Sequence, residues 1–354
     1  MKVVIAPDSF KGSISNFDAA AAIAEGWHAV RPQDQLVLKA MADGGEGTLE
    51  TIAASHPDSQ RIPIALPHNP HWLLLADGTA VVELANICGL TLLPELNPMQ
   101  AHTYELGMVL RSISLNSRVE KIVLTVGGSS STDGGAGVLV GLGAQLLNKE
   151  DLPIALGGSG LLDLVSIDLS NVVPAPRGGV TCLVDVTNPL LGSQGSAAVF
   201  APQKGASPAQ VIELEAGLQH LQGVAGLPDF PGAGAAGGTP YGLAVAWNIS
   251  LSPGALAVAK AIGFESHIND CDLIITGEGR FDSQSGSGKV VGTIADIASR
   301  YGKQIKYCVG SSEDPLGDRG VALVDIAPSL DEAMFNTFQW LVEAGQRLAL
   351  QQTD

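Results

Sequence analysis

The 354-residue sequence is short of positive charge. It has 19 Lys and Arg against 36 Asp and Glu, a formal net charge of −17. Nucleic-acid binding rests on cations that neutralise phosphates, and anionic membranes select basic segments. Neither is expected as a partner. Cysteine is also scarce: Cys88, Cys182, Cys271 and Cys308 are scattered without a C-x-x-C pair. That pattern argues against a zinc site or a disulfide framework and for buried, reduced thiols. No stretch reaches the ~20 uncharged apolar residues of a membrane span. The apolar opening stops at Asp8, too soon for the core of a secretory leader, so a cytoplasmic location is expected. Several catalytic signatures are missing: H-E-x-x-H, G-x-S-x-G and the protein-kinase set. No complete G-x-G-x-x-G follows the first strand, which disfavours a nicotinamide dehydrogenase. Ser285-Gly286-Ser287-Gly288-Lys289 approaches a P-loop but has Ser283 where glycine is needed and Val290 where Ser or Thr is needed. The seven histidines are isolated; His68 and His71, beside Pro67 and Pro70, read as a turn.

What is abundant is glycine, 43 of 354 residues, well above the usual ~7%. Apolar residues make up 45%, enough for a large core, and a prior of ~150 residues per domain suggests two domains. Apolar, β-branched runs at residues 2–6, 36–41, 122–126, 182–186, 273–276, 304–309 and 322–326 read as strands. Helices are expected from Ser15 to Pro32, over 104–114, from 137 to about 147, from Ser207-Pro208, over 241–248 and over 290–299. A terminal helix follows the capping-box pair Ser329 and Glu332. Residues 61–66, 72–75 and 79–84 alternate with turn residues in a hairpin pattern. Alternating strands and helices imply a Rossmann-like, doubly wound parallel sheet of the α/β class. The two regular ends flank a less regular middle. The expected organisation is a discontinuous Rossmann-like domain, residues 1–64 and 265–354, with a second, inserted α/β domain over 65–264.

Four of the glycine loops follow predicted strands, and several open helices. Ligands of open α/β sheets bind at the carboxyl ends of strands. Helix N-termini there suit phosphate, and glycine lets the backbone approach an anion closely. The glycine excess is therefore expected to sit where phosphate binding needs it. The same loops carry the cations Lys11, Lys204, Arg280 and Lys289, and the carboxylates Asp43, Glu46, Asp133, Asp185, Glu278 and Asp282. Cations for phosphates and carboxylates for Mg²⁺ are the parts phosphoryl transfer needs.

All of these residues but Asp282 and Lys289 fall in seven motifs. They are Ala6-Pro7-Asp8-Ser9-Phe10-Lys11-Gly12-Ser13, Ala42-Asp43-Gly44-Gly45-Glu46-Gly47-Thr48, the stretch 127–137, Asp185-Val186-Thr187-Asn188-Pro189-Leu190, Pro202-Gln203-Lys204-Gly205-Ala206, the glycine loop 231–238, and Ile275-Thr276-Gly277-Glu278-Gly279-Arg280. In this order, across essentially the whole chain, they resemble the bacterial glycerate kinases of the first type. The resemblance implies ATP-dependent, Mg²⁺-assisted phosphorylation of D-glycerate, usually at the 2-hydroxyl, and a Rossmann-like domain beside a second α/β domain. One departure stands out: Ser287 replaces the histidine the family commonly has before Gly-Lys.

The residues so singled out are Asp185, Lys11, Arg280 and Lys289 for catalysis, with Asp185 as the base. Asp43 and Glu278 are the candidates for the metal. Asp8, Ser9, Gly44, Gly45, Ser129, Ser130, Thr187, Asn188, Lys204, Gly277 and Gly279 are the candidates for binding substrate or phosphate. A kinase for another small hydroxy acid and a non-catalytic sensor of small acids are the competing readings.

Overall fold

A computed structural model describes residues 1–282 and 289–352. The chain divides into two compact units. The first comprises Met1–Asp43, Glu50–Ser55 and the chain from Pro253 onward; the second comprises Gly44–Leu49 and His56–Ser252. The expected seams at 64/65 and 264/265 thus shift toward the N-terminus. Strand pairing explains the first shift, because Gln60–Pro63 runs antiparallel to His71–Leu74 and so joins the second unit's sheet.

The first unit is built on a five-stranded sheet in the order Gly320–Ala322, Gln304–Val309, Leu273–Thr276, Lys2–Ile5, Gln35–Leu38. Every pairing is parallel. Parallel strands are buried on both faces and read as continuous apolar runs, as Lys-Val-Val-Ile and Leu-Ile-Ile-Thr do here. Val3, Ile5, Leu273 and Ile275 pack on the helices Asn16–Val30 and Thr337–Leu350. Val4 and Ile274, of opposite parity, are just as buried, and the helix Val290–Arg300 packs against the strands Leu273–Thr276 and Gln304–Val309. The sheet is therefore doubly wound.

The second unit has a six-stranded sheet in the order Ile249–Pro253, Val180–Val184, Lys121–Thr125, Thr79–Glu83, His71–Leu74, Gln60–Pro63. Its centre is parallel and its far edge is an antiparallel meander. The helix Tyr104–Ser114 packs across this core. The helix expected from 137 to 147 ends early: Ala136–Leu142 stops at Gly143 in the left-handed conformation, and Gln145–Leu147 is a strand. The terminal helix is broken as well. Ser329 accepts from the Glu332 N–H as expected, but Leu330–Phe335 ends at Asn336, and a separate helix runs Thr337–Leu350.

The glycine excess has a second outlet besides loops. A Cβ on Gly26 would lie 2.0 Å from the Val342 carbonyl oxygen, and one on Gly107 would lie 2.5 Å from that of Val138. These glycines let helices cross backbone to backbone. Among the described residues no helix is long and apolar enough to cross a membrane.

Candidate active site

In the first unit, Lys2–Ile5 and Leu273–Thr276 are neighbours at the centre of the sheet, so the segments leaving their carboxyl ends run side by side. The Asp8 N–H donates to the Gly277 carbonyl at 2.8 Å, and Thr276 Oγ1 donates to the Ala6 carbonyl at 2.8 Å. The chain after Gln35–Leu38 joins them, with the Met41 N–H on the Pro7 carbonyl at 2.9 Å. This register delivers Asp8, Asp43 and Glu278 to one pocket, each only 8% exposed. Ser9, Lys11, Gly279, Arg280 and Lys289 line the same pocket. The pocket is also lined by apolar side chains, chiefly Phe10, Leu323, Leu330, Ala333 and Met334.

The electrostatics of the pocket follow from this crowding. Burial, then the neighbouring Asp43 carboxylate and, more weakly, Glu278, push the Asp8 carboxyl up to about 8, against the Ser9 N–H and Lys11, which favour its charge. Lys289 is the N-cap residue of the helix Val290–Arg300, so its charge adds to the positive end of that helix. Arg280 pairs with Glu313 at 3.2 Å and with Asp282 at 3.5 Å.

No group of three or more His, Cys, Asp or Glu among the described residues is arranged to hold a metal on its own. Mg²⁺ does not need one, since it keeps waters and commonly takes only one or two carboxylates plus substrate phosphates. The hard oxygen donors of Asp8, Asp43 and Glu278, buried in one pocket, fit such a cation.

The remaining candidates lie in the second unit. Ser129, Ser130 and Lys204 turn out to be tied to one another and to the backbone. Lys204 is 2% exposed. Its Nζ donates to Ser129 Oγ at 2.9 Å and to the Ser131 carbonyl. Burial pulls its ammonium down to about 8. Ser130 Oγ donates to the Cys88 carbonyl at 2.8 Å. In the structure these polar groups are engaged in holding the loop. Asp133 is fully buried, and its carboxylate accepts from Thr103 N–H and Oγ1 and from the Gly135 and Gly137 N–H groups. It holds the start of the helix Ala136–Leu142.

Gly44 and Gly45 also pack within this unit. The Gly127 N–H donates to the Gly44 carbonyl at 3.2 Å, and a Cβ on Gly127 would lie 2.6 Å from Gly45 Cα. Asp185 and Thr187 are exposed just beyond the strand Val180–Val184, and Asn188 Nδ2 donates to the Gln194 carbonyl. Gly277, in the first unit, does not line the pocket. A Cβ there would sit 1.6 Å from the Cys308 carbonyl oxygen, so it serves strand approach. Ser287, the departure from the family pattern, lies outside the described residues.

Glu83, outside every motif, is buried at the end of Thr79–Glu83, and its carboxylate accepts from the Gly47 and Leu49 N–H groups. A lone Glu closing an apolar strand was its only signal. The apolar lining of the pocket likewise leaves no motif in the sequence.

A pocket at the carboxyl edge of a parallel sheet, lined by carboxylates, cations and a glycine, has the parts a phosphotransferase of the α/β class needs. The comparisons narrow this. The model of the glycerate kinase family matches residues 3–352. The glycerate 2-kinase of Escherichia coli K12 is 37% identical over 99% of this chain and 97% of its own length. The glycerate kinase of Halalkalibacterium halodurans is also 37% identical, over 98% and 97%. A solved Salmonella typhimurium LT2 protein, provisionally named glycerate kinase 2, superposes with a TM-score of 0.79 at 33% identity, covering 99% of this chain and 97% of that one. The chain belongs to the glycerate kinase family and is a kinase.

Proposed function

We propose that the enzyme transfers the γ-phosphoryl group of ATP to the 2-hydroxyl of D-glycerate, giving 2-phosphoglycerate and ADP. Phosphorylation of glycerate with ATP as donor is the activity of its family; the regiochemistry, the metal and the residue roles are the proposal. The observation that carries it is the convergence of Asp8, Asp43 and Glu278 with Lys11 and Lys289 in one pocket.

Asp43 and Glu278, joined by Asp8, would hold Mg²⁺ together with the donor's phosphates. Bound there, the ion would supply positive charge to the phosphate oxygens. Asp8 is a candidate for substrate or phosphate on sequence alone, but its carboxyl lies beside the Asp43 and Glu278 carboxylates, and a cation is the partner such a group of oxygens suits best. Lys11 and Lys289 neutralise charge on the transferred group, and Gly279 lets its backbone come close. Arg280 orients the substrate carboxylate, since a guanidinium can grip it in bidentate fashion. Asp185, with Thr187 and Asn188 beside it, takes the hydroxyl proton as the hydroxyl oxygen bonds to phosphorus and the bond to the ADP oxygen breaks. A base needs to come within ~3 Å of that hydroxyl. The protein works in the cytoplasm, a setting that suits four buried free thiols.

The test is a ³¹P spectrum of the product formed from D-glycerate, ATP and Mg²⁺. A 2-phosphoglycerate signal is expected. A 3-phosphoglycerate signal overturns the regiochemistry. Higher kcat/KM for tartronate or lactate overturns the acceptor.

A further inference from the structure

The pocket of the first unit has lining of two unlike kinds, and a three-carbon acid explains only one. Leu330, Ala333, Met334 and Thr337 all line it. They follow the i, i+3, i+4, i+7 spacing of one helical stripe, running from Leu330–Phe335 into the start of Thr337–Leu350. Ala333 is buried, yet Leu330 is 58% exposed and Met334 49% exposed. Large apolar side chains left open toward a pocket are a cost unless something apolar covers them. The polar option on this wall is already used, because Thr337 Oγ1 donates to the Ala333 and Met334 carbonyls. Leu323, 1% exposed, closes the same side.

A ligand that uses both kinds of lining must carry anionic groups and a separate apolar surface. Glycerate is polar along its whole length. A nucleoside triphosphate has the required pattern. We infer that this pocket takes the donor nucleotide, with the nucleobase lying on the Leu330–Ala333–Met334 stripe and the phosphates toward Lys11, Gly279 and Lys289. The inference rests on the kinase reading above and adds where the donor's base sits. Met334 suits the role, because a thioether is polarisable, adaptable and favourable against an aromatic ring. Binding by area also uses no specific hydrogen bond from the wall.

The experiment compares ATP with inorganic tripolyphosphate, which carries the phosphates without a base. Binding of each to the full-length protein is measured by calorimetry for wild type, for the double variant Leu330→Ser/Met334→Ser and for Met334→Leu. Both side chains of the double variant are substantially exposed in the protein alone, and its melting temperature confirms folding. The double variant should lose about tenfold or more in ATP affinity, the scale of one or two apolar groups in a binding pocket. Its tripolyphosphate affinity should stay within about twofold, and Met334→Leu should retain ATP affinity because it preserves apolar volume. Equal losses for both ligands, or no loss for ATP, overturn the inference, as does a folded wild type that does not bind ATP. Product formation is read separately. If no phosphoglycerate forms while the selective loss of ATP affinity is observed, the base subsite stands and the glycerate reading falls.

Discussion

Asp8 and Lys204 are both buried, both ordinarily charged at neutral pH, and both pushed to about 8, yet they do opposite work. Asp8 sits in the first unit among like charges, Asp43 and Glu278, with the Ser9 N–H as a hydrogen-bond donor at 2.7 Å. Lys204 sits in the second unit with its ammonium directed at Ser129 and the Ser131 carbonyl. One site crowds like charges together and so favours a cation. The other matches an ammonium to acceptors and so holds a loop. Glycine-rich sequence at a strand end is common to both. The difference lies in whether the neighbouring polar groups repel or complement one another.

Asp185→Asn should have the largest effect, a loss of at least ~100-fold in kcat, the lower range for removing a general base. Thermal stability should hold, because Asp185 is exposed. Steady-state kinetics beside a melting curve check this, and near wild-type turnover would remove Asp185 as the base.

Next comes pH, which sets the two buried groups against each other. Folded Asp8 keeps a proton to about 8, whereas the unfolded chain releases it near the ordinary value of 3.8. Unfolding therefore sheds a proton between those values, and the Asp8 contribution makes stability fall as pH rises through that window. Lys204 is the reverse. The unfolded chain holds the proton to 10.5 and the folded chain only to about 8, so its contribution makes stability rise with pH across that span. Asp8→Asn should stabilise the protein by about 1–3 kcal/mol at pH 8, a discounted fraction of the ~1.36 kcal/mol that each tenfold change in proton affinity represents, and by nothing near pH 4. Urea unfolding across pH is the measurement. A variant that tracks wild type at every pH would mean that Asp8 is not strained by its neighbours.

The first unit's sheet was largely legible in the sequence, and its site partly so. Leu273–Thr276 and Gln304–Val309 stand where their apolar runs put them, because buried parallel strands declare themselves by composition. The convergence of Asp8, Asp43 and Glu278 was readable as three strand-end loops of one parallel sheet. Lys204 was not. Nothing local says that an ammonium beside glycine points inward to a serine 75 residues earlier in the chain. Asp133 misled for the same reason, since a strand-end carboxylate looks alike whether it faces a ligand or four donors from the backbone and Thr103. Gly26 and Gly107 lie inside expected helices, but nothing local says that a second helix crosses there, because a helix crossing is a long-range contact. The break at Asn336 hid the apolar stripe behind what reads as one terminal helix.

The two lysines give a smaller contrast. Lys11→Met should weaken ATP binding by about tenfold, on the order of one charge-assisted hydrogen bond at 1.4 kcal/mol per decade, and leave melting unchanged. Lys204→Met should do the reverse, costing about 1–3 kcal/mol by leaving the Ser131 carbonyl and Ser129 hydroxyl without their donor, with ATP affinity retained. Calorimetry and thermal melts on the pair decide it. If Lys204→Met instead abolishes ATP binding in a folded protein, the second unit's loop is a phosphate cradle after all and the contrast collapses.

The smallest expected effect concerns one glycine from each unit. A Cβ on Gly279 would meet nothing closer than Phe10 Cα at 3.5 Å, ordinary contact, and its φ is not in the left-handed region. The protein alone should accept Gly279→Ala at little cost, so any loss reports on what approaches from the pocket. A roughly threefold weaker ATP affinity with unchanged melting is expected, because glycine's value there is close backbone approach. Gly128 has φ +74 and a Cβ would lie 3.2 Å from that of Ala85. There, Gly128→Ala strains the backbone whatever the ligand, at about 1 kcal/mol or more, and should lower the melting temperature with ATP affinity held. Should Gly279→Ala lower stability and spare ATP, the 277–280 loop is held by its own packing and the phosphates do not approach it.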